Sequence, residues 1–74
     1  MEESEKKEYL ILFGKNFRKI RKSQNYTQAK LAIDLNTDVS LISRIERGLL
    51  NTTVLKLKEV SKILSVPVEE FFNF

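Results

Sequence analysis

Neither cysteine nor histidine occurs among the 74 residues. Without cysteine there are no disulfides or thiol nucleophiles, and without histidine no imidazole base. Losing both removes the usual zinc ligands and with them most hydrolase and metalloenzyme chemistry. The expectation is a protein that is not an enzyme and has no metal, no cofactor and no evident small-molecule effector. No apolar run approaches the roughly 20 residues that span a bilayer, so no membrane role is expected. The opening MEESEKKE is too acidic and polar for a secretory signal, which makes the cytoplasm the expected location. The length suits one domain, and a chain of this size buries only about 60% of the surface exposed on unfolding. That leaves room for a binding module and little for a deep active site.

What is present is unevenly charged. The net charge is +3. Residues 1–8 carry four Glu against two Lys, whereas residues 9–22 carry Lys15, Arg18, Lys19, Arg21 and Lys22 and no acid. Such a patch attracts a polyanion and releases counterions on contact. A solvated basic helix face is the other reading, and charge alone does not choose between them.

Periodicity gives helices and no convincing strand. Leu10, Phe13, Phe17 and Ile20 follow the 3.6-residue repeat and predict an amphipathic helix over roughly 7–24, after an acidic, flexible extension at 1–8. Asn25 suits a left-handed end. Thr27 caps a second helix, about 28–35, with Leu31, Ala32 and Leu35 inward; Asn36 makes a left-handed turn; Asp38 caps a third helix that runs to about Arg47 and stops at Gly48. Thr53 caps a fourth, Val54 to Leu64, with Val54, Leu57, Val60 and Leu64 inward. The single proline, Pro67, opens a short fifth turn ending in Phe71, Phe72 and Phe74. No repeat, linker or low-complexity stretch interrupts this order.

The third helix has two contrasting sides. At 100° per residue Leu41, Ile42 and Ile45 cluster, while Ser43, Arg47, Ser40 and Arg44 fall at roughly 140°, 180°, 200° and 240° from Asp38, with Val39 on the border. Small hydroxyls let a backbone approach closely and arginine reaches a guanine edge or a phosphate, so this side is shaped to enter a groove. An ordinary solvated face remains the alternative for the helix taken alone.

Its neighbours add a resemblance. Thr27-Gln28, Leu31-Ala32, the turn at Asn36, then Ile42, Ile45-Glu46 and Gly48 are similar to the helix-turn-helix of the Cro and phage-repressor family, often called the Xre family. With Phe13-Gly14, Ile20-Arg21, Val66 and Phe71 the resemblance covers about four fifths of the chain. Ile45-Glu46-Arg47-Gly48 followed by Asn51-Thr52-Thr53-Val54 looks most like the short controller proteins of restriction-modification systems.

That resemblance implies an all-α, compact five-helix, lambda-repressor-like DNA-binding domain over 9–74, with its helix-turn-helix at 27–48. It implies that the third helix lies in the major groove, with Val39, Ser40, Ser43 and Arg44 reading bases. Bidentate donation from Arg44 to guanine is worth about 1–3 kcal/mol of discrimination, and Val39 suits a thymine methyl. Phosphate contacts are expected from Gln28, Lys30, Arg47, Asn51 and Thr52, Gln28 also bracing the recognition helix. Lys30 stands where a capping box usually has an acid, a placement that costs a few tenths of a kcal/mol unless a phosphate reverses its sign. The loop Leu49-Leu50-Asn51-Thr52 lacks the Lys or Arg expected there. Arg21 and Glu46 match a structural ion pair joining the first helix to the end of the third. Arg18, Lys19 and Lys22 add only to the general field.

Phe72 and Phe74, with Leu50 and Leu55, form the expected dimer interface, Phe71 completing the core. The competing reading has all three aromatics capping the monomer. A two-fold dimer on a palindromic double-stranded operator spaces its recognition helices about 34 Å apart. The expected function is therefore sequence-specific transcription regulation. Two rivals are an antitoxin-like protein-interaction module whose DNA binding is secondary, and a membrane-surface protein using the basic first helix.

Overall fold

Three helices begin where a side-chain oxygen takes up a backbone N–H that has no partner inside the helix. Thr27 Oγ1 accepts from the Lys30 amide at 3.0 Å, Asp38 Oδ1 from Leu41 at 2.9 Å, and Thr53 Oγ1 from Lys56 at 3.1 Å. Each such cap is worth about 1 kcal/mol over alanine. The computed structural model, which describes residues 1–74, accordingly has α1 (Glu3–Ser23), α2 (Gln28–Asp34), α3 (Val39–Glu46) and α4 (Val54–Leu64), followed by a 3-10 turn (Val68–Phe72). The five expected helices are thus four α-helices and one 3-10 turn, with no strand. Asn25, Asn36 and Gly48 take the left-handed backbone at the turns, with φ of 61°, 57° and 74°. Ser65, at φ 56°, ends α4 in the same way, although no glycine or asparagine signals it.

Two expectations change. Residues 3–8, read as an extension ahead of the first helix, are its first two turns. Glu5 turns its carboxylate back to accept from the Glu2 amide at 3.2 Å, satisfying a donor that an unpaired helix start would leave bare. Val54, expected inward, is 84% exposed. It occupies the first position of α4, beyond the reach of the helices that cover Leu57, Val60 and Leu64, so the periodic stripe outruns the core by one turn.

The core joins Phe13 and Phe17 of α1, Leu31, Ala32 and Leu35 at α2, Ile42 and Ile45 of α3, Leu57, Val60 and Leu64 of α4, and Phe71 of the 3-10 turn. Burying side chains of this size contributes roughly 1.5–3 kcal/mol each. Along α1 the aromatics pair with the 3-10 turn: Phe17 with Phe71 at 5.6 Å between ring centroids, Phe13 with Phe72 at 5.5 Å, Tyr9 with Phe74 at 5.2 Å. Asn16 fastens the same seam, its Nδ2 donating to the Glu70 carbonyl at 2.9 Å. Phe71 is fully buried, while Phe72 and Phe74 remain about half exposed, at 50% and 48%. The aromatics therefore do both things at once, covering α1 and keeping an outer surface.

Candidate nucleic-acid interface

The placement of α3 begins with a missing side chain. A Cβ on Gly14 would lie 2.5 Å from the Ile45 carbonyl oxygen and 2.6 Å from that of Glu46. Only glycine lets the backbone of α1 approach the last turn of α3 so closely. Gly48, just beyond that turn, meets α1 in turn: its left-handed φ disfavours any L side chain, and a Cβ there would lie 2.7 Å from Ile11 Cα.

Beside this notch sits a buried polar network. Arg21 Nε donates to Glu46 Oε2 at 2.6 Å and Arg21 Nη2 to Glu46 Oε1 at 3.1 Å, a two-point fit of guanidinium to carboxylate. Arg21 Nη1 donates to the Tyr26 carbonyl at 2.6 Å, fixing the turn before α2. Gln28, expected at a phosphate, directs its amide inward instead, Nε2 donating to Glu46 Oε1 at 3.0 Å. The carboxylate has capacity for a third donor, and the first residue of α2 lies within its reach, so local geometry decides the amide's direction. Three elements meet at one carboxylate, and no buried side-chain nitrogen or oxygen in the chain lacks a partner.

The opposite side of α3 is open. Val39, Ser40, Arg44 and Arg47 are exposed and Ser43 is half-buried, while Ile42, Ile45 and Glu46 are buried. Arg47 turns its Nε back toward the Ser43 carbonyl at 3.4 Å. Lys6, Arg21 and Lys30 take the three ion pairs, which leaves the Arg44 guanidinium without one. The structure thus brings Ser40, Ser43 and Arg44 together on one accessible side, with Val39 at its start.

The surrounding candidates differ more. Lys30 is exposed but already has company: its Nζ lies 3.8 Å from Asp34 Oδ2 and 5.5 Å from the centre of the Tyr26 ring, whose hydroxyl donates to the same Asp34 oxygen at 3.2 Å. These neighbours offset the cost of a cation near the start of α2 without any phosphate. Asn51 is exposed and Thr52 half-buried in the connection to α4; Arg18, Lys19 and Lys22 are exposed along α1. Of the candidate dimer residues, Leu55, Phe72 and Phe74 are exposed, whereas Leu50 packs partly against the core. Gly14, Tyr26 and Asn16 hold structural places that periodicity does not reveal. For Gly14 a readable signal existed, a lone glycine inside a helical pattern.

This geometry has relatives. Residues 17–71 match the family described as Helix-turn-helix. The chain belongs to that family, in its Xre-type branch. Control protein C.BamHI of Bacillus amyloliquefaciens is 37% identical over 65 residues, covering 86% of this chain and 80% of its own length. The HTH-type transcriptional regulator SlrR of Bacillus subtilis (strain 168) is 36% identical over 63 residues, covering 84% of this chain but only 41% of its own. The crystal structure of the restriction-modification controller protein C.AhdI from Aeromonas hydrophila superposes with a TM-score of 0.81 at 27% identity, covering 85% of this chain and 91% of that one. This helix-turn-helix protein is a DNA-binding transcriptional regulator, from a family of regulators and not of enzymes. In it α2 is the bracing helix and α3 the recognition helix. No helix is long and apolar enough to cross a membrane.

Proposed function

We propose that the protein is a controller-type regulator of the cytoplasm that binds a palindromic operator as a homodimer, reading bases with Val39, Ser40, Ser43 and Arg44. The observation that carries this reading is the pairing of an anchored and an open side on one helix. Glu46 is fixed from three directions while Arg44, two residues earlier, has no ion pair and faces solvent. A guanidinium held on a rigid helix but free at its tip is suited to the N7 and O6 acceptors of guanine. Lys30, Arg47, Asn51 and Thr52 flank that side and serve as phosphate contacts, Gln28 bracing α3 through Glu46. The domain measures 34 × 23 × 20 Å, so two copies side by side can set their α3 helices about 34 Å apart, one turn of B-DNA.

The similarity to C.BamHI and C.AhdI supports the controller assignment, and the operator is expected upstream of the protein's own coding sequence or of a neighbouring restriction endonuclease. The test is titration of that upstream duplex and of a scrambled duplex by the unaltered protein and by Arg44→Ala. The variant should lose about 1–3 kcal/mol on the operator and much less on the scrambled DNA. Equal losses on both would reduce Arg44 to a phosphate contact, and no preference by the unaltered protein for any upstream segment would end the controller reading.

A further inference from the structure

One pole of the molecule concentrates apolar surface that the DNA-reading side does not use. A cleft of about 510 Å³ opens between the first turns of α1 and the start of α4, and Met1, Tyr9, Val54 and Phe72 are among its lining residues. All four are exposed, Phe74 packs on Tyr9, and Leu55, 77% exposed, adjoins Val54. Clustered exposed apolar side chains of this kind mark interfaces. The α1 turns involved lie outside the family match, which begins at Phe17.

The charge around the cleft is divided. The first eight residues hold Glu2, Glu3, Glu5 and Glu8 against Lys6 and Lys7, and the one ion pair among them is Lys6 with Glu3. On α4, Lys56, Lys58 and Lys62 stand against Glu59, and none of the four is in an ion pair. At 100° per residue, Glu2 and Glu5 lie within roughly 40° of Tyr9, and Lys58 and Lys62 fall between Val54 and Leu55 around α4. One molecule therefore shows an apolar cleft flanked by carboxylates and, next to it, an apolar ridge flanked by lysines. A two-fold interface needs just this, because a single patch must carry both complementary halves.

We infer that the first two turns of α1 are a dimer clasp: a second copy of this chain seats Val54 and Leu55 in the cleft, with its Lys58 and Lys62 against Glu2 and Glu5, and the reverse by symmetry. The clasp rests on the homodimer reading above and names the surface that makes it. Opposite charges steer the two copies together and fix their register, while the aliphatic ridge supplies the burial. Dimerisation should accordingly weaken as salt rises.

The test uses two full-length variants, Glu2→Lys with Glu5→Lys and Lys58→Glu with Lys62→Glu, each checked for helix content and followed by sedimentation equilibrium. Each alone places like charges across the interface and should raise the dimer dissociation constant at least tenfold. Mixed together they place opposite charges across both halves, and the mixed dimer should return to within a few-fold of the unaltered protein. A loss of fold in one chain cannot produce that recovery. Leu55→Ser, which touches no charge and disturbs no cap, should weaken dimerisation comparably. If the unaltered protein dimerises and these variants do so equally well, or if the mixture is no tighter than its parts, the clasp is wrong and another face makes the dimer. An unaltered protein that stays monomeric at every concentration removes the homodimer reading as well.

Discussion

The two sides of α3 differ in how many partners a charged group has. Glu46 accepts three hydrogen bonds from α1 and α2 and is buried, whereas Arg44 is exposed and has no ion pair. The first side is expensive to disturb because any loss strands a charge away from water; the second is cheap to disturb until a ligand arrives. A regulator needs this separation, since the residues that choose a sequence can then vary without endangering the fold.

The largest effect should come from the anchored side. Glu46→Ala leaves the Arg21 guanidinium buried without its carboxylate and should cost about 3–5 kcal/mol. Against a total stability of roughly 5–15 kcal/mol, that brings the domain close to unfolding in water, which urea titration followed by circular dichroism will show. Gly14→Ala comes next, because its new methyl meets two backbone carbonyls that cannot rotate aside; overpacking of this kind costs about 1–3 kcal/mol. The same titration measures it, and a neutral result would mean that α1 and α3 can separate freely. Arg44→Ala belongs to the other side, with a stability change within about 0.5 kcal/mol despite its loss of operator affinity. The smallest expected change is that of Lys30→Ala. If Lys30 leaves Asp34 for a phosphate, the slope of log affinity against log salt should become shallower by about 0.9 on every duplex. An unchanged slope would leave Lys30 with Asp34 and Tyr26, where the free protein holds it.

Much of this contrast is legible in the chain because it is local. Thr27, Asp38 and Thr53 announce their helix starts by side-chain chemistry alone, and Asn25, Asn36 and Gly48 announce the turns. The inward and outward sides of α3 follow from its period. What escaped depends on more than one element at once. The start of α1 relies on a glutamate at the cap, outside the usual Ser, Thr, Asp and Asn, so its first two turns read as an extension. Val54 has the right period and the wrong position, since nothing in the repeat tells where the covering helices end. The direction of the Gln28 amide depends on where folding places the Glu46 carboxylate, 18 residues away in sequence.

The seam between α1 and the 3-10 turn has a consequence for synthesis. Phe17 is among the first core residues to leave the ribosome and Phe71 is the last, yet each ring lies against the other with both fully buried. A nascent chain that has emerged only as far as Glu70 carries every side chain proposed to read DNA while the Phe17 ring is still uncovered. Competence for the operator therefore arrives late in translation, with the residues that close the core and not with those that face the groove.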